Sequence, residues 1–161
     1  MGLQGKPMTI PRKIGPIHMK PKDVFYKVGT GIHRAIFNVS KGRIFGKAFG
    51  MPLVELVTTG RRSGKERSTI LSVPIVDGDR LVLVASFGGD DRHPAWYLNL
   101  QANPEVRVTI AGSTRTMITR DATKEERIEL WPRITSAFEG YARYQNRTDR
   151  QIPVVILEPP K

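Results

Sequence analysis

Four cations crowd into seven residues of this chain: Arg61, Arg62, Lys65 and Arg67, within Gly60-Arg61-Arg62-Ser63-Gly64-Lys65-Glu66-Arg67. A β-like run, Leu56 to Thr59, leads into the segment, and Ser68-Thr69-Ile70-Leu71-Ser72-Val73 leads out of it. The pattern is that of two strands joined by a cationic turn, and the chemistry on offer is anion binding. The two glycines permit a tight backbone with exposed N–H groups, and guanidinium and ammonium heads suit a phosphate or a carboxylate. The same composition also describes a solvated, charged hairpin turn. It does not describe a nucleotide-hydrolysing P-loop, which needs four residues between its glycines, then Lys, then Ser or Thr, then a helix. Here three residues separate Gly60 from Gly64, and Glu66 follows Lys65.

Other chemistries have less to build on. With no cysteine there is no disulfide framework, thiol nucleophile or thiolate metal site. His18, His33 and His93 lie far apart without a Glu or His at helical spacing, so no metal site is expected. A G-x-S-x-G elbow is missing, and Ser, His and Asp fall into no triad-like group. Asp90 and Asp91 read as a solvated loop edge rather than an acid/base pair. Phe87-Gly88-Gly89 lacks the G-x-G-x-x-G spacing of a dinucleotide site and reads as a flexible turn. Tyr141 and Tyr144, three apart, share a face if their segment is helical, where phenols are suited to orient an acceptor or donate a proton. A chain without an activated nucleophile is expected to borrow its chemistry from a cofactor.

These groups need elements to position them. Strands are expected over 52–59, 67–76 and 80–86, with Asp77-Gly78-Asp79 as a hairpin turn. A short helix follows over Pro94 to Ala102, stopped by Asn103-Pro104; on it Trp96 and Leu100 fall at core spacing and Asn99 near the end. Val106, Val108 and Ile110 alternate toward a turn at Gly112-Ser113, and a strand runs from Thr114 to Arg120. Thr123 and Glu126 form a capping box for a helical region through Ala137, which Pro132 is expected to kink or divide. Ile152 to Leu157 is the last strand. Many short strands without βαβ alternation predict an α+β fold, a small antiparallel barrel with flanking helices.

The net charge of +11 over 161 residues is uneven. Up to Lys47 there are ten cations against Asp23 alone; beyond it, sixteen cations meet fourteen acids. Residues 1–47 therefore read as a basic arm and 48–161 as the folded domain. Val24, Phe25, Val28, Ile32, Ile36 and Phe37 recur at helical spacing, giving the arm a basic amphipathic helix suited to an anionic membrane or to packing on the domain. No run approaches a membrane span, and no secretory signal is evident. A cytoplasmic protein, peripheral at the inner face of the membrane through this arm, is the expectation. Zinc-finger, RNP-like and helix-turn-helix patterns are missing, so nucleic acid is not an expected partner.

Five collinear segments carry a resemblance: Thr59 to Arg67, Val84-Ala85-Ser86-Phe87-Gly88-Gly89, His93-Pro94-Ala95-Trp96-Tyr97-Leu98-Asn99-Leu100, Asn103-Pro104, and Tyr141-Ala142-Arg143-Tyr144-Gln145. Over about residues 50 to 158 the chain resembles the deazaflavin-dependent nitroreductase family. The resemblance implies a split β-barrel of the flavin-reductase, FMN-binding-like type that binds reduced coenzyme F420 and delivers hydride to an acceptor. It places Arg62, Ser63, Gly64, Lys65 and Arg67 on the coenzyme's phosphate and oligoglutamate tail, with Arg61 at the rim. It runs Ala85, Ser86, Phe87 and Gly88 beside the deazaflavin ring, and sets Trp96 and Asn99 around the pocket. Tyr141 is implied near the acceptor with Tyr144 in support and Ser86 as a further hydrogen-bond donor. Phe87 and Ser72 depart from the family, which often has a polar or basic residue at the first position and in some members a bulky aromatic at the second. A small Ser72 and an apolar Phe87 point to a roomier, greasier site for a lipophilic acceptor: a quinone, an enone or a nitroaromatic. The rival readings are a noncatalytic basic module for membranes or nucleic acid, and a split barrel that binds FMN or a haem-like ligand.

Overall fold

The computed structural model describes residues 47–161. It contains eight strands, β1 (Lys47–Ala48), β2 (Met51–Thr59), β3 (Glu66–Ser72), β4 (Ile75–Asp77), β5 (Arg80–Val84), β6 (Glu105–Ile110), β7 (Ser113–Asp121) and β8 (Val154–Glu158), and three helices, α1 (Ala95–Ala102), α2 (Lys124–Ala137) and α3 (Gly140–Gln145). A single 3₁₀ turn spans Phe87–Gly89. Every strand pairing is antiparallel, in the order β1-β2-β6-β7-β8-β5-β4 with β3 on β2.

Tight hairpins set the register. Phe49 and Gly50 link β1 to β2 with φ of 54° and 79°, and Ala111 and Gly112 link β6 to β7 with 49° and 82°. Paired left-handed residues match the twist of a two-residue hairpin. Gly78, at φ 59°, starts the turn that pairs Asp77 with Arg80, as its Asp-Gly signal implies.

The expected strand over 67–76 is in fact two. Pro74 has no N–H to give a ladder, and the chain bends there after Val73 has donated to the Pro52 carbonyl at 2.9 Å. The bend matters because β3 and β4 belong to opposite ends of the sheet order. Their covalent junction brings the sheet round on itself, and inward side chains from distant strands meet in one cluster: Val54 and Leu56 of β2, Leu83 of β5, Val108 of β6, Met117 of β7, Leu157 of β8. Trp96, Tyr97 and Leu100 of α1 join it.

β5 and β8 are covered on both sides. Leu81, Leu83, Val155 and Leu157 face the inner cluster; Val82, Val84, Val154 and Ile156 face a second one formed with Leu130 and Ile134 of α2 and Tyr141 of α3. That is why both strands read as unbroken apolar runs. Each fully buried aliphatic side chain here stabilises the fold by about 1.5–3 kcal/mol.

The capping box at the start of α2 is complete: the Glu126 N–H donates to Thr123 Oγ1 at 3.2 Å, and the Thr123 N–H to Glu126 Oε2 at 2.9 Å. Pro132 does not divide α2, which runs unbroken to Ala137. Pro132 is exposed, and so is Ile128 one turn earlier at 68%, so the carbonyl that Pro132 cannot serve lies on the solvent side, where water replaces the lost bond. The amphipathic segment at Val24 to Phe37 lies outside the described residues.

Candidate active site

The turn between β2 and β3 is held by its own backbone. Gly60 N–H donates to the Lys65 carbonyl at 2.8 Å, and the N–H groups of Ser63 and Gly64 donate to the Gly60 carbonyl at 3.1 and 2.8 Å. Lys65 N–H donates to Ser63 Oγ at 3.3 Å. Gly64, at φ 65°, occupies the left-handed region, and a Cβ on Gly60 would lie 2.8 Å from Ser63 Oγ. The expectation of a turn lined with exposed N–H groups is thereby corrected: closing so tight a loop uses up most of its donors. Side-chain charge remains, and it is abundant. Arg61, Arg62, Lys65 and Arg67 are exposed and have no carboxylate partner among the described residues. Glu66, the one acid of the turn, is bound by Arg107, whose guanidinium holds the carboxyl below its usual range.

Helix α1 locks onto this turn through a buried polar chain. Asn99 Nδ2 donates to Thr58 Oγ1 at 3.1 Å, and Asn99 Oδ1 accepts from Arg61 N–H at 3.2 Å. Thr58 Oγ1 in turn donates to the Arg67 carbonyl at 3.3 Å. Thr58 and Asn99 are 1% and 5% exposed, so their bonds are made in a sheltered place where an unpaired amide would be expensive. Asn99 thus lies inside the helix, and Asn103 closes it by donating its N–H to the Asn99 carbonyl.

A cleft of about 440 Å³ opens beside this assembly. The turn contributes Arg61, Arg62 and Ser63; β3 contributes Arg67, Ser68 and Thr69; α1 contributes Ala95, Trp96 and Asn99. Trp96 is both core and wall, 7% exposed yet part of the cleft surface. Gly64 and Lys65 belong to the turn without lining the cleft.

The remaining sequence-predicted residues gather elsewhere. Tyr141 and Tyr144 lie on one side of α3 with ring centroids 6.2 Å apart, and Phe138 stands 5.6 and 6.3 Å from them. The Tyr141 hydroxyl lies 3.3 Å from Ser72 Oγ at the end of β3. Burial pushes this phenol above its ordinary range, Ser72 opposes the rise, and Tyr144 adds to it. Tyr141 thus stays protonated at neutral pH. The Phe87–Gly89 turn packs directly on α3: a Cβ on Gly89 would lie 2.6 Å from the Tyr144 carbonyl. Ala85 is fully buried, Ser86, Phe87 and Gly88 are half-buried, and none of the four lines the cleft.

The predicted residues form two groups, and β3 spans both. Its first residues line the cleft; its last, Ser72, meets Tyr141. Thr69 and Ser72 are three residues apart, about 10 Å along an extended strand.

Thr58 escaped the sequence reading, although its signal was present: in the inward register Val54, Leu56, Thr58, a lone polar residue asks for a buried partner. Arg150 escaped it with no local signal at all. Its guanidinium donates to the Ala85, Ser86 and Asp90 carbonyls, contacts that nothing in Asp149-Arg150-Gln151 announces. No cluster of three or more metal-ligating side chains occurs among the described residues, and no helix among them is long and apolar enough to cross a membrane.

Comparison with known proteins adds a name to this geometry. Residues 30–159 match the family described as F420H(2)-dependent quinone reductase. An F420H(2)-dependent quinone reductase of Mycobacterium tuberculosis is 38% identical over 131 residues, covering 78% of this chain and 87% of that protein. The solved structure of an F420-H2 dependent reductase superposes with a TM-score of 0.61 at 42% identity, over 66% of this chain and 94% of its own. A second solved structure, described as a domain-swapped dimer, gives 0.62 at 34% identity over 86% of this chain and all of its own. These neighbours have the split-barrel, flavin-reductase-like fold that the strand order here describes.

Proposed function

Because the chain belongs to the F420H(2)-dependent quinone reductase family, we propose that it is a reductase that uses reduced coenzyme F420, holds the coenzyme's anionic end at the Gly60–Arg67 turn, and serves a quinone-type acceptor. The observation that carries this reading is the cluster of four cations without carboxylate partners among the described residues, three of which, Arg61, Arg62 and Arg67, line a cleft walled by Trp96. Most of the other described arginines are neutralised, among them Arg107 by Glu66, Arg115 by Asp79, Arg120 by Glu126 and Glu158, and Arg133 by Asp77. A turn that keeps its charge uncompensated fits a phosphate and a string of carboxylates.

In this reading Arg62, Ser63, Gly64, Lys65 and Arg67 bind the phosphate and tail, and Arg61, which lines the cleft, assists. Trp96 offers an apolar face to the ring system, while Asn99 keeps α1 and the turn at a fixed distance. Ala85, Ser86, Phe87 and Gly88 flank the ring. When bound, the reduced deazaflavin supplies a hydride, and a quinone becomes a hydroquinone only when a proton joins it. Tyr141 holds such a proton on its phenol at neutral pH, with Ser72 to orient it and Tyr144 in support; solvent restores the proton afterwards. Ser86 is a further donor for the acceptor or ring. The small Ser72 and apolar Phe87 favour bulky, lipophilic acceptors, so enones and nitroaromatics are included as secondary substrates. We assign the basic N-terminal arm, residues 1–47, to peripheral contact with the anionic membrane where such acceptors reside, and residues 48–161 to cofactor binding.

The test is to mix the protein with F420H2 and a panel of quinones, enones and nitroaromatics while following cofactor absorbance. Rapid oxidation with quinones is expected. Oxidation by no quinone above the uncatalysed rate, or binding of FMN in preference to F420, would overturn the assignment. Vesicle binding that survives deletion of residues 1–47 would remove the membrane role of the arm.

A further inference from the structure

Two guanidiniums reach the loop from Ala85 to Asp91: Arg147 touches it once, at the Gly88 carbonyl at 3.5 Å, and Arg150 gathers three of its carbonyls. Arg150 donates from Nη2 to the carbonyls of Ser86 and Ala85 at 2.9 and 3.2 Å, and from Nε to that of Asp90 at 2.8 Å. Its Nη1 lies 3.4 Å from His93 Nδ1. No carboxylate sits on this head group among the described residues: the Asp90 carboxylate accepts from Arg92, and that of Asp91 from Thr148 Oγ1. The base of Arg150 is fixed as well, its N–H donating to Thr148 Oγ1 and its carbonyl accepting from Gln145 Nε2.

In a trans peptide the C=O and N–H point to opposite sides, and this chain has no cis bond among the described residues. A cation that gathers the Ala85 and Ser86 oxygens therefore turns the N–H groups of Ser86 and Phe87 the other way and polarises them as donors. The loop needs such restraint. Phe87, a side-chain-bearing residue, sits at φ 49° and is followed by Gly88 at 66° and Gly89 at 80°; this strained run is closed by the Gly89 N–H on the Ser86 carbonyl at 2.9 Å and the Asp90 N–H on the Phe87 carbonyl at 3.2 Å, and Arg150 adds its fork to them.

We propose that Arg150 is a positioning residue that aims the N–H edge of the Ala85–Phe87 peptides at the acceptor-rich edge of the deazaflavin ring. The inference rests on the function proposed above, and it separates two kinds of affinity: charge at the turn for the tail, fixed dipoles at this loop for the ring. The two differ in salt dependence, because screening weakens exposed charges and leaves sheltered hydrogen bonds nearly untouched.

The experiment is a fluorescence titration of F420 into the wild-type chain and into Arg150→Lys, which keeps the charge and loses the fork, at low salt and at about 0.5 M salt. Thermal unfolding of each variant runs alongside. The expected result is a loss of affinity of about tenfold at both salt concentrations in a folded variant, with Arg62→Ala losing affinity at low salt only. Arg150→Gln, which keeps a neutral donor, is the second variant and is expected to behave as Arg150→Lys does. Unchanged affinity in either folded variant, or unfolding of both, would overturn the proposal and leave Arg150 a purely structural brace. A wild-type chain that takes up no F420 would instead overturn the function on which it rests.

Discussion

Arg62 and Arg67 are exposed, and among the described residues no carboxylate pairs with them. Charge-assisted hydrogen bonds contribute about 1.5–3 kcal/mol when sheltered and less in water, so the double change Arg62→Ala with Arg67→Ala is expected to weaken F420 binding by about tenfold or more at low salt, with unfolding unaffected. Equal affinity in that variant would remove both positions from the site. Tyr141 makes a different demand. Tyr141→Phe removes only the hydroxyl facing Ser72, and quinone turnover is expected to fall by about a hundredfold while F420 affinity holds, since general acids contribute on the order of 10²–10⁴ in rate; steady-state kinetics beside a binding titration separates the two. Asn99→Leu tests the buried latch. It removes the donor to Thr58 Oγ1, which keeps its bond to the Arg67 carbonyl, and the acceptor of the Arg61 N–H, and should lower stability by about 1–3 kcal/mol in denaturant melts while loosening the turn and its hold on the coenzyme.

At the scale of elements, the strands, α1 and the capped start of α2 were legible because local chemistry dictates them: Asp77-Gly78 for a hairpin, Asn103-Pro104 for a stop, Thr123 and Glu126 for a cap. What stayed hidden depended on partners far along the chain. Pro74 as a corner could be recognised only once β3 and β4 were known to lie at opposite ends of the sheet, and Pro132 proved harmless because its side of α2 faces water. The turn's type was readable, whereas the consumption of its N–H groups followed from how tightly it closes. The α2 cap carries a pH prediction. Arg120 and the Thr123 N–H hold the Glu126 carboxyl at about 2, below the roughly 4.3 of a free glutamate. A depressed folded value means the stabilisation is present above the unfolded value and disappears as pH falls from there toward about 2. Acid unfolding of Glu126→Gln should accordingly show a flatter dependence over that window than the wild type; identical curves would take Glu126 out of the linkage.

At the scale of the molecule, one curled sheet brings two chemistries into reach of each other. The cationic turn enters β3 at Glu66 and the Ser72–Tyr141 pair sits at its other end, six residues and about 20 Å away along the strand, a span for a ring with an extended anionic tail. Sequence alone placed the members of both groups but not their grouping, because β3 became their common support only after the sheet closed. Arg150, sixty-five residues beyond the Ala85 carbonyl it holds, lay outside any local pattern. The grip proposed for the anionic redox coenzyme is unpaired charge at the turn between β2 and β3. Equilibrium dialysis of the folded protein against F420 at low and high ionic strength should show saturable uptake that weakens as salt rises; no uptake at low salt would rule that grip out.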